Sequence, residues 1–359
     1  LDTARGIAVM GILTMNSVSM GLGNIAYFDL AAGGSNTPLD WALGVGGEVF
    51  ADQKFMGLFS LLFGASLLLF CDRVKDRTTR PAGLSLWRNA LLFGIGVAHA
   101  AVWDGDVLTL YAMCAPVLLL LRNAPARVLV VLGLLVFSMA PLSLALGAPH
   151  IDEDAAVKIL TYAGNEDLNL AIGILAFQML VDLSSRALGM MLLGMGLYRS
   201  GWLARPKRPR EVQVAWAAVA IGAALSASGV AWVAHQGFGA RAAIVGNLPN
   251  TVATPAMVLG YFVLLQQADA RFQGRWMQRI RALGRTALSN YLLQTVVFMS
   301  LAAVVPPTWV SRSTIWVAMA TLWTLQLVAS EAWLQRFVMG PLEWAWRSAT
   351  YRRIEALRR

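Results

Sequence analysis

Residues 128–147 read VLVVLGLLVFSMAPLSLALG, twenty consecutive positions without a charged side chain. A helix of that length rises about 30 Å, which matches the hydrocarbon core of a bilayer. Comparable apolar runs recur along the chain, and they predict an all-α fold, a polytopic transmembrane helical bundle of about ten spans. The predicted spans are 6–24, 49–71, 87–104, 107–122, 127–147, 170–198, 212–234, 249–268, 286–305 and 314–334.

The composition agrees with a membrane location. Hydrophobic residues make up 57% of the 359 and charged residues 14%, whereas a soluble domain carries about 25% charge. A signal peptide is the alternative interpretation of the first run, but no basic segment precedes it. The sequence therefore predicts a single transmembrane domain over residues 1–359.

Basic residues alternate from loop to loop and predict the orientation. Of the 29 lysines and arginines, 24 fall in segments that this topology places in the cytoplasm and Arg186 falls within a span. Because basic residues favour the cytoplasmic side, both termini are predicted to lie inside. The net charge of +9 then needs no nucleic acid, since basic loops face anionic headgroups or hold an anionic cytoplasmic substrate. The four predicted external basic residues are Lys54, Lys158, Arg241 and Arg312.

The segments outside the spans are short. We expect external caps near 25–48 and 148–169, and a cytoplasmic amphipathic tail over 337–359. Cys71 and Cys114 match neither a disulfide framework nor a metal site.

The strongest candidate site lies at residues 96–108, GVAHAAVWDGDVL. His99 follows Arg88 by eleven residues, about 16 Å along a helix, so it is predicted in the outer half of the membrane. Asp104 and Asp106 follow in a turn that contains Gly105. Because a nearby carboxylate orients an imidazole and raises its basicity, His99 is the candidate general base, with Asp106 assisting. A histidine packed against a neighbouring helix is the alternative.

Other polar residues also fall within predicted spans, where ionisable groups are costly and often functional. Asp182 and Arg186 are four residues apart, so they can pair on one helix face. Asn290 and Gln294 share a face in the same way, and either bridge helices or line a polar tunnel. Asn16 has a similar predicted depth. A local salt bridge is the expected role of Asp52 and Lys54.

Motifs of soluble enzymes are absent from the sequence. It contains no G-x-x-x-x-G-K-[ST], no H-E-x-x-H and no G-x-S-x-G pattern. With three histidines in the chain, a catalytic metal is not predicted.

Five blocks in order along the chain resemble the YeiB-like family of bacterial membrane proteins. The first is Leu1-Asp2 with Arg5-Gly6, similar to the family's opening L-D-x-x-R-G. The second runs from Lys54-Phe55 to Gly64. The others are His99 with 105–108 and 111–112, the block 284–294, which includes Arg285, Asn290, Tyr291 and Gln294, and the closing block 340–351.

The resemblance extends to transmembrane acyltransferases such as heparan-alpha-glucosaminide N-acetyltransferase. It implies transfer of an acyl group, most simply acetyl, from cytoplasmic acyl-CoA to an extracytoplasmic sugar or glycan in the bacterial inner membrane. Arg5, Arg285, Asn290 and Gln294 would then bind acyl-CoA. Tyr291, with Asn16, Asp104, Asp182 and Arg186, would line the tunnel or the acceptor site.

Two other classes of function remain open. Intramembrane His and Asp residues also form proton relays in transporters of small polar solutes, although no matching inverted halves are evident. A non-catalytic scaffold in an envelope-building complex is the third. The predicted partners are the bilayer, acyl-CoA and the acceptor, and a homodimer is an open option.

Overall fold

The computed structural model describes residues 1–76, 78–161 and 170–358. Arg77, Arg359 and residues 162–169 of the predicted cap 148–169 lie outside the described residues. Within the described ranges the fold is helical and contains no strand, apart from an isolated antiparallel bridge between Phe337 and Arg358. The predicted all-α class is confirmed.

The first half of the described chain contains eight α-helices. They are α1 Asp2–Leu22, α2 Asn24–Phe28, α3 Pro38–Phe50, α4 Lys54–Val74, α5 Pro81–Ala100, α6 Leu108–Leu120, α7 Ala126–Gly147 and α8 Glu153–Thr161. The second half continues with α9 Leu170–Arg199, α10 Pro209–His235, α11 Ala240–Gly246, α12 Leu248–Arg271, α13 Arg275–Arg285, α14 Ala287–Val304, α15 Arg312–Arg336 and α16 Pro341–Tyr351.

Each of the ten predicted spans coincides with a helix of the structure. Among the described residues, seven helical segments are long and apolar enough to cross a bilayer. The helices α1, α5 and α6 are not among the seven, and α6 is a shorter apolar helix. The chain is therefore a multi-pass helical membrane protein, while its orientation and the count of ten spans stay predictions. The seven segments are Pro38–Val74, Ala126–His150, Ile172–Arg199, Pro209–His235, Ala240–Arg271, Ala287–Val304 and Arg312–Arg336.

The segment Pro38–Val74 is interrupted between α3 and α4. Thr37 and Asp40 form a capping box that starts α3. Gln53 then adopts a left-handed conformation with φ 63°, which is uncommon for a residue other than glycine. The backbone turns there, and this turn places polar side chains of the interrupted segment inside the protein.

Long helix pairs build the bundle. The helix α7 packs along α9, α10 along α12, α4 along α9 and α5 along α6. Glycine permits the closest approach beside the candidate site, where a Cβ on Gly96 would lie 2.6 Å from the amide nitrogen of Thr109. The small residue therefore brings the end of α5 against the beginning of α6.

Candidate functional site

His99 lies one residue before the end of α5 and makes hydrogen bonds with both ring nitrogens. Its Nδ1 atom lies 2.8 Å from Oδ1 of Asp106, and its Nε2 atom lies 2.9 Å from Oγ1 of Thr295 on α14. The side chains of His99 and Asp106 are 4% and 2% exposed. The structure thus brings the two predicted catalytic residues into direct contact.

Asp106 is held by the first turn of α6. Its carboxylate accepts hydrogen bonds from the amides of Leu108 at 3.1 Å and Thr109 at 2.8 Å, and from the Thr109 hydroxyl at 2.8 Å. Burial raises the pKa of this carboxyl, but the hydrogen bonds from His99 and Thr109 outweigh burial and hold the pKa below its ordinary value. The group is therefore an ionised acceptor at neutral pH.

An ionised Asp106 fixes the tautomer of His99. A carboxylate can only accept, so Nδ1 carries the proton and donates to it. The neutral ring then offers its lone pair at Nε2, and the Thr295 hydroxyl donates to that atom. This arrangement puts a hydroxyl within hydrogen-bond reach of the Nε2 lone pair, which is the requirement for a general base.

A cavity of about 240 Å³ lies inside the bundle between α1, α4, α5, α6 and α14. Along α1 it extends from Arg5 to Ile12, about 10 Å at the rise of a helix. Its wall is mostly apolar. Besides three arginines, its polar or charged members include Ser66, Ser85, Asn89 and Glu343. The cavity is thus a slot lengthwise in the bundle, with one end near the helix termini that carry arginine.

Three arginines surround that end, which the predicted topology places in the cytoplasm: Arg5, Arg88 and Arg285. The guanidinium of Arg88 lies over the ring of Trp346 at 3.7 Å and the ring of Phe70 at 4.9 Å. Arg285 donates to the carbonyl of Val338 at 2.9 Å and remains exposed. The cluster suits a ligand that has an anionic head and a narrow tail.

Tyr291 connects the cavity with His99. Its side chain lines the deep end together with Val107, Leu108 and Tyr111, and its ring centroid lies 5.2 Å from that of His99. The Tyr291 hydroxyl is buried and makes no hydrogen bond with the described residues. Tyr291 therefore lies next to both the slot and the histidine.

The other predicted site residues lie elsewhere. Asn290 donates to Ser330 at 3.0 Å, and Gln294 donates to Gln326 at 3.0 Å, so both amides bridge α14 to α15 and are not part of the cavity wall. Helix bridging was one of the two roles that the sequence left open for them.

Four further candidates are also separate from the cavity. Asp182 pairs with Arg186 on α9, as their spacing predicted. Asp104 is exposed and accepts a hydrogen bond from Asn24 at 3.3 Å. Asn16 is half-buried on α1. Of the residues predicted to line a tunnel, only Tyr291 lines the cavity. Of the residues predicted to bind acyl-CoA, Arg5 and Arg285 line it.

A second polar cluster surrounds Lys54, whose side chain is fully buried. Its ammonium group donates to the carbonyl of Glu48 at 3.1 Å, to Ser226 at 3.3 Å and to the side-chain oxygen of Asn250. The amide of Asn250 in turn donates to Asp52 at 2.7 Å. Asn250 thus links the Lys54 ammonium to the Asp52 carboxylate. Within the described part of the chain the two charged groups form no direct ion pair, so the expected local salt bridge is wrong and an interhelical amide takes its place.

Sequence reasoning did not single out Thr295, Asn250 or Trp346. Thr295 was open to detection, because it follows Tyr291 by four residues and shares its helix face. Asn250 carried no such signal, since its role depends on contacts between distant segments. Trp346 appeared only as a member of the closing family block 340–351. No cluster of three His, Cys, Asp or Glu side chains that could hold a metal exists among residues 1–76, 78–161 and 170–358.

The fold and the site together define a class: a multi-pass helical membrane protein with a buried His–Asp pair beside an internal cavity. Comparison with known proteins gives the family. The chain is 30% identical to the uncharacterized protein YeiB of Escherichia coli K12, over 98% of this chain and 96% of the relative. The chain belongs to the YeiB-like family, as its sequence blocks indicated.

Two further similarities agree with this assignment. The uncharacterized protein YxaH of Bacillus subtilis is 26% identical over 98% of this chain and 93% of its own length. Residues 197–353 match the family described as protein of unknown function DUF418. No solved structure matches the chain.

Proposed function

We propose that this chain is a transmembrane acyltransferase of the bacterial inner membrane. It would move an acyl group, most simply acetyl, from cytoplasmic acyl-CoA to an extracytoplasmic acceptor such as a sugar. The observation that carries the proposal is the slot that begins at three arginines and ends at Tyr291, whose ring centroid lies 5.2 Å from that of His99.

The slot fits one part of acyl-CoA. Whole small-molecule sites usually enclose about 300–1,000 Å³, and this cavity of about 240 Å³ is smaller. It would admit the narrow acyl-pantetheine arm, while the nucleotide stays at the mouth. Arginine binds phosphate through paired charge-assisted hydrogen bonds, so Arg5, Arg88 and Arg285 would hold the CoA phosphates there.

The proposed chemistry takes place at the deep end. A hydroxyl is a poor nucleophile at neutral pH and requires a base within hydrogen-bond reach. His99 supplies Nε2 for that role, and Asp106 holds the ring and stabilises the imidazolium that forms. The acceptor would enter near Trp103, whose ring lies beside His99 at the predicted external mouth.

Binding of CoA provides the first test. With the protein in nanodiscs, calorimetry should detect CoA binding that weakens as salt is raised, because the contacts are ionic. Arg285→Gln should weaken binding about tenfold, since a hydrogen bond to a charged group contributes about 1.5 kcal/mol or more. Arg210→Gln, an exposed arginine outside the cavity wall, is the matched control. Equal CoA binding by wild type and Arg285→Gln would remove the phosphate-binding role of Arg285.

A transporter is the second candidate, and the cluster around Lys54 favours it. Lys54 and Asp52 are buried within the candidate span Pro38–Val74, and one carboxylate oxygen of Glu48 is buried without a hydrogen-bond partner among the described residues. Buried ionisable groups of this kind form proton relays in transporters. CoA binding at the arginine mouth separates the two candidates, because a small-solute transporter has no use for it.

A further inference from the structure

Three side chains from different elements form one continuous chain of hydrogen bonds. Asp106 contacts Nδ1 of His99 at 2.8 Å, and Nε2 of His99 contacts the Thr295 hydroxyl at 2.9 Å. Thr295 is 1% exposed. A hydroxyl within hydrogen-bond reach of a base that a third group orients is the general signature of an activated nucleophile.

We propose that Thr295 is the nucleophile of a two-step acyl transfer and carries the acyl group as an ester. This inference rests on the proposed acyltransferase function and names the route that the acyl group takes. Other accounts of His99 leave Thr295 as a packing residue that satisfies the imidazole.

The first half-reaction acylates the protein. Oγ1 of Thr295 attacks the thioester carbonyl carbon and gives its proton to Nε2 of His99. The carbon–sulfur bond breaks, and the departing CoA sulfur takes that proton to leave as free thiol. Thr295 retains the acyl group as an oxygen ester.

The second half-reaction transfers the acyl group. The acceptor hydroxyl attacks the ester carbonyl carbon and gives its proton to Nε2 of His99. The bond between the carbonyl carbon and Oγ1 of Thr295 breaks, and Oγ1 takes the proton back. The products are the acylated acceptor and the original threonine, so atoms and charges balance over the cycle.

The position of Thr295 favours two steps over direct transfer. Its hydroxyl already occupies the Nε2 lone pair, the atom with which an acceptor hydroxyl would have to hydrogen-bond in a direct mechanism. Tyr291 lines the cavity and lies beside His99, which is not among the lining residues. An acylated threonine removes the need for donor and acceptor to be bound at the same time.

Tyr291 has a complementary role in this scheme. It precedes Thr295 by one helical turn on the same face of α14, and its hydroxyl is a buried donor without an acceptor among the described residues. The hydroxyl proton therefore remains available to a ligand. We assign Tyr291 as the donor to the carbonyl oxygen that becomes negative during attack, and rotation of its ring opens the path from the slot.

Isotope exchange tests the inference without an identified acceptor. Purified protein in nanodiscs is incubated with unlabelled acetyl-CoA and labelled free CoA, and label entering acetyl-CoA is measured. A reversible acyl-threonine step predicts exchange in the absence of any acceptor. Thr295→Ala should lower exchange at least a hundredfold, whereas Thr295→Ser, which keeps the hydroxyl, should stay within about tenfold of wild type.

Two further variants and a mass measurement test the roles of Tyr291 and Thr295 separately. Tyr291→Phe should reduce exchange about a hundredfold while CoA binding is unchanged, as loss of an oxyanion donor does elsewhere. Thr324→Ala, an exposed threonine on α15 whose hydroxyl bonds to its own helix, is the folding control. Peptide mass spectrometry after acid quench should locate the acyl group on Thr295.

The outcomes separate the two levels of the proposal. Suppose that the wild-type protein binds CoA and acylates membrane acceptors but shows no isotope exchange. It then transfers the acyl group directly to the acceptor, and the proposed role of Thr295 is wrong. An acyl group found on a different residue also overturns it. Absence of CoA binding and of acyl transfer removes the acyltransferase proposal itself, and this inference with it.

Discussion

His99→Ala is expected to lower the rate of acyl transfer by about 10²- to 10⁴-fold, the usual contribution of a general base. The variant should still fold, because Asp106 keeps its hydrogen bonds to the Leu108 and Thr109 amides. CoA binding should also persist, since His99 is not part of the cavity wall. The measurement is acyl transfer from acetyl-CoA in membranes that contain equal amounts of each protein.

Two companion variants sharpen this prediction. Asp106→Asn should reduce the rate less than His99→Ala does, because the amide misorients the imidazole but leaves it in place. His235→Ala, an exposed histidine at the end of α10, is the matched control and should be neutral. A packing role for His99 predicts the reverse pattern, in which His99→Gln retains activity and His99→Ala loses stability.

Lys54→Met is expected to lower the free energy of unfolding by about 3 kcal/mol, the scale on which loss of one partner destabilises a buried charged pair. The substitution keeps the length of the side chain but leaves the Glu48 carbonyl without this donor, and Asn250 keeps only the hydrogen bond from Ser226. The carboxylate of Asp52 would also lose the nearby positive charge. Denaturant titration in detergent, followed by intrinsic fluorescence, measures the change.

Lys54→Met is compared with a control variant for stability and with the wild type for CoA binding. Lys75→Met, an exposed lysine just after α4, should change stability by less than about 0.5 kcal/mol. The acyltransferase account also expects the folded fraction of Lys54→Met to bind CoA normally, because Lys54 does not line the arginine-mouthed cavity. Equal stability of the two variants would show that the buried ammonium makes no net contribution.

The sequence predicted the helices well because membrane burial leaves a strong local signal. Each run of about twenty apolar residues became a helix, and even α6, with thirteen residues, was located. The interruption at Gln53 was not predicted, since its left-handed backbone depends on contacts of the polar side chains around it.

The candidate site was predictable only where its residues are close in sequence. His99 and Asp106 are seven residues apart and meet across one turn, so the pair was found. Thr295 reaches His99 from a helix almost two hundred positions later, as the pairing of α5 with α14 requires. Asn290 and Gln294 show the limit of helical spacing. Their spacing predicted that they share a helix face, but it could not predict which neighbouring helix that face contacts.

Acyl transfer in sealed vesicles tests the central claim most directly. Labelled acetyl-CoA is supplied to inverted vesicles, which expose the cytoplasmic face, and to right-side-out vesicles made from the same cells. We predict that label passes from acetyl-CoA into an acylated product only in inverted vesicles that contain the wild-type chain. In vesicles that contain His99→Ala, the amount of labelled product should fall to background. Transfer by wild-type vesicles no greater than by His99→Ala vesicles, with equal protein present, would contradict the account.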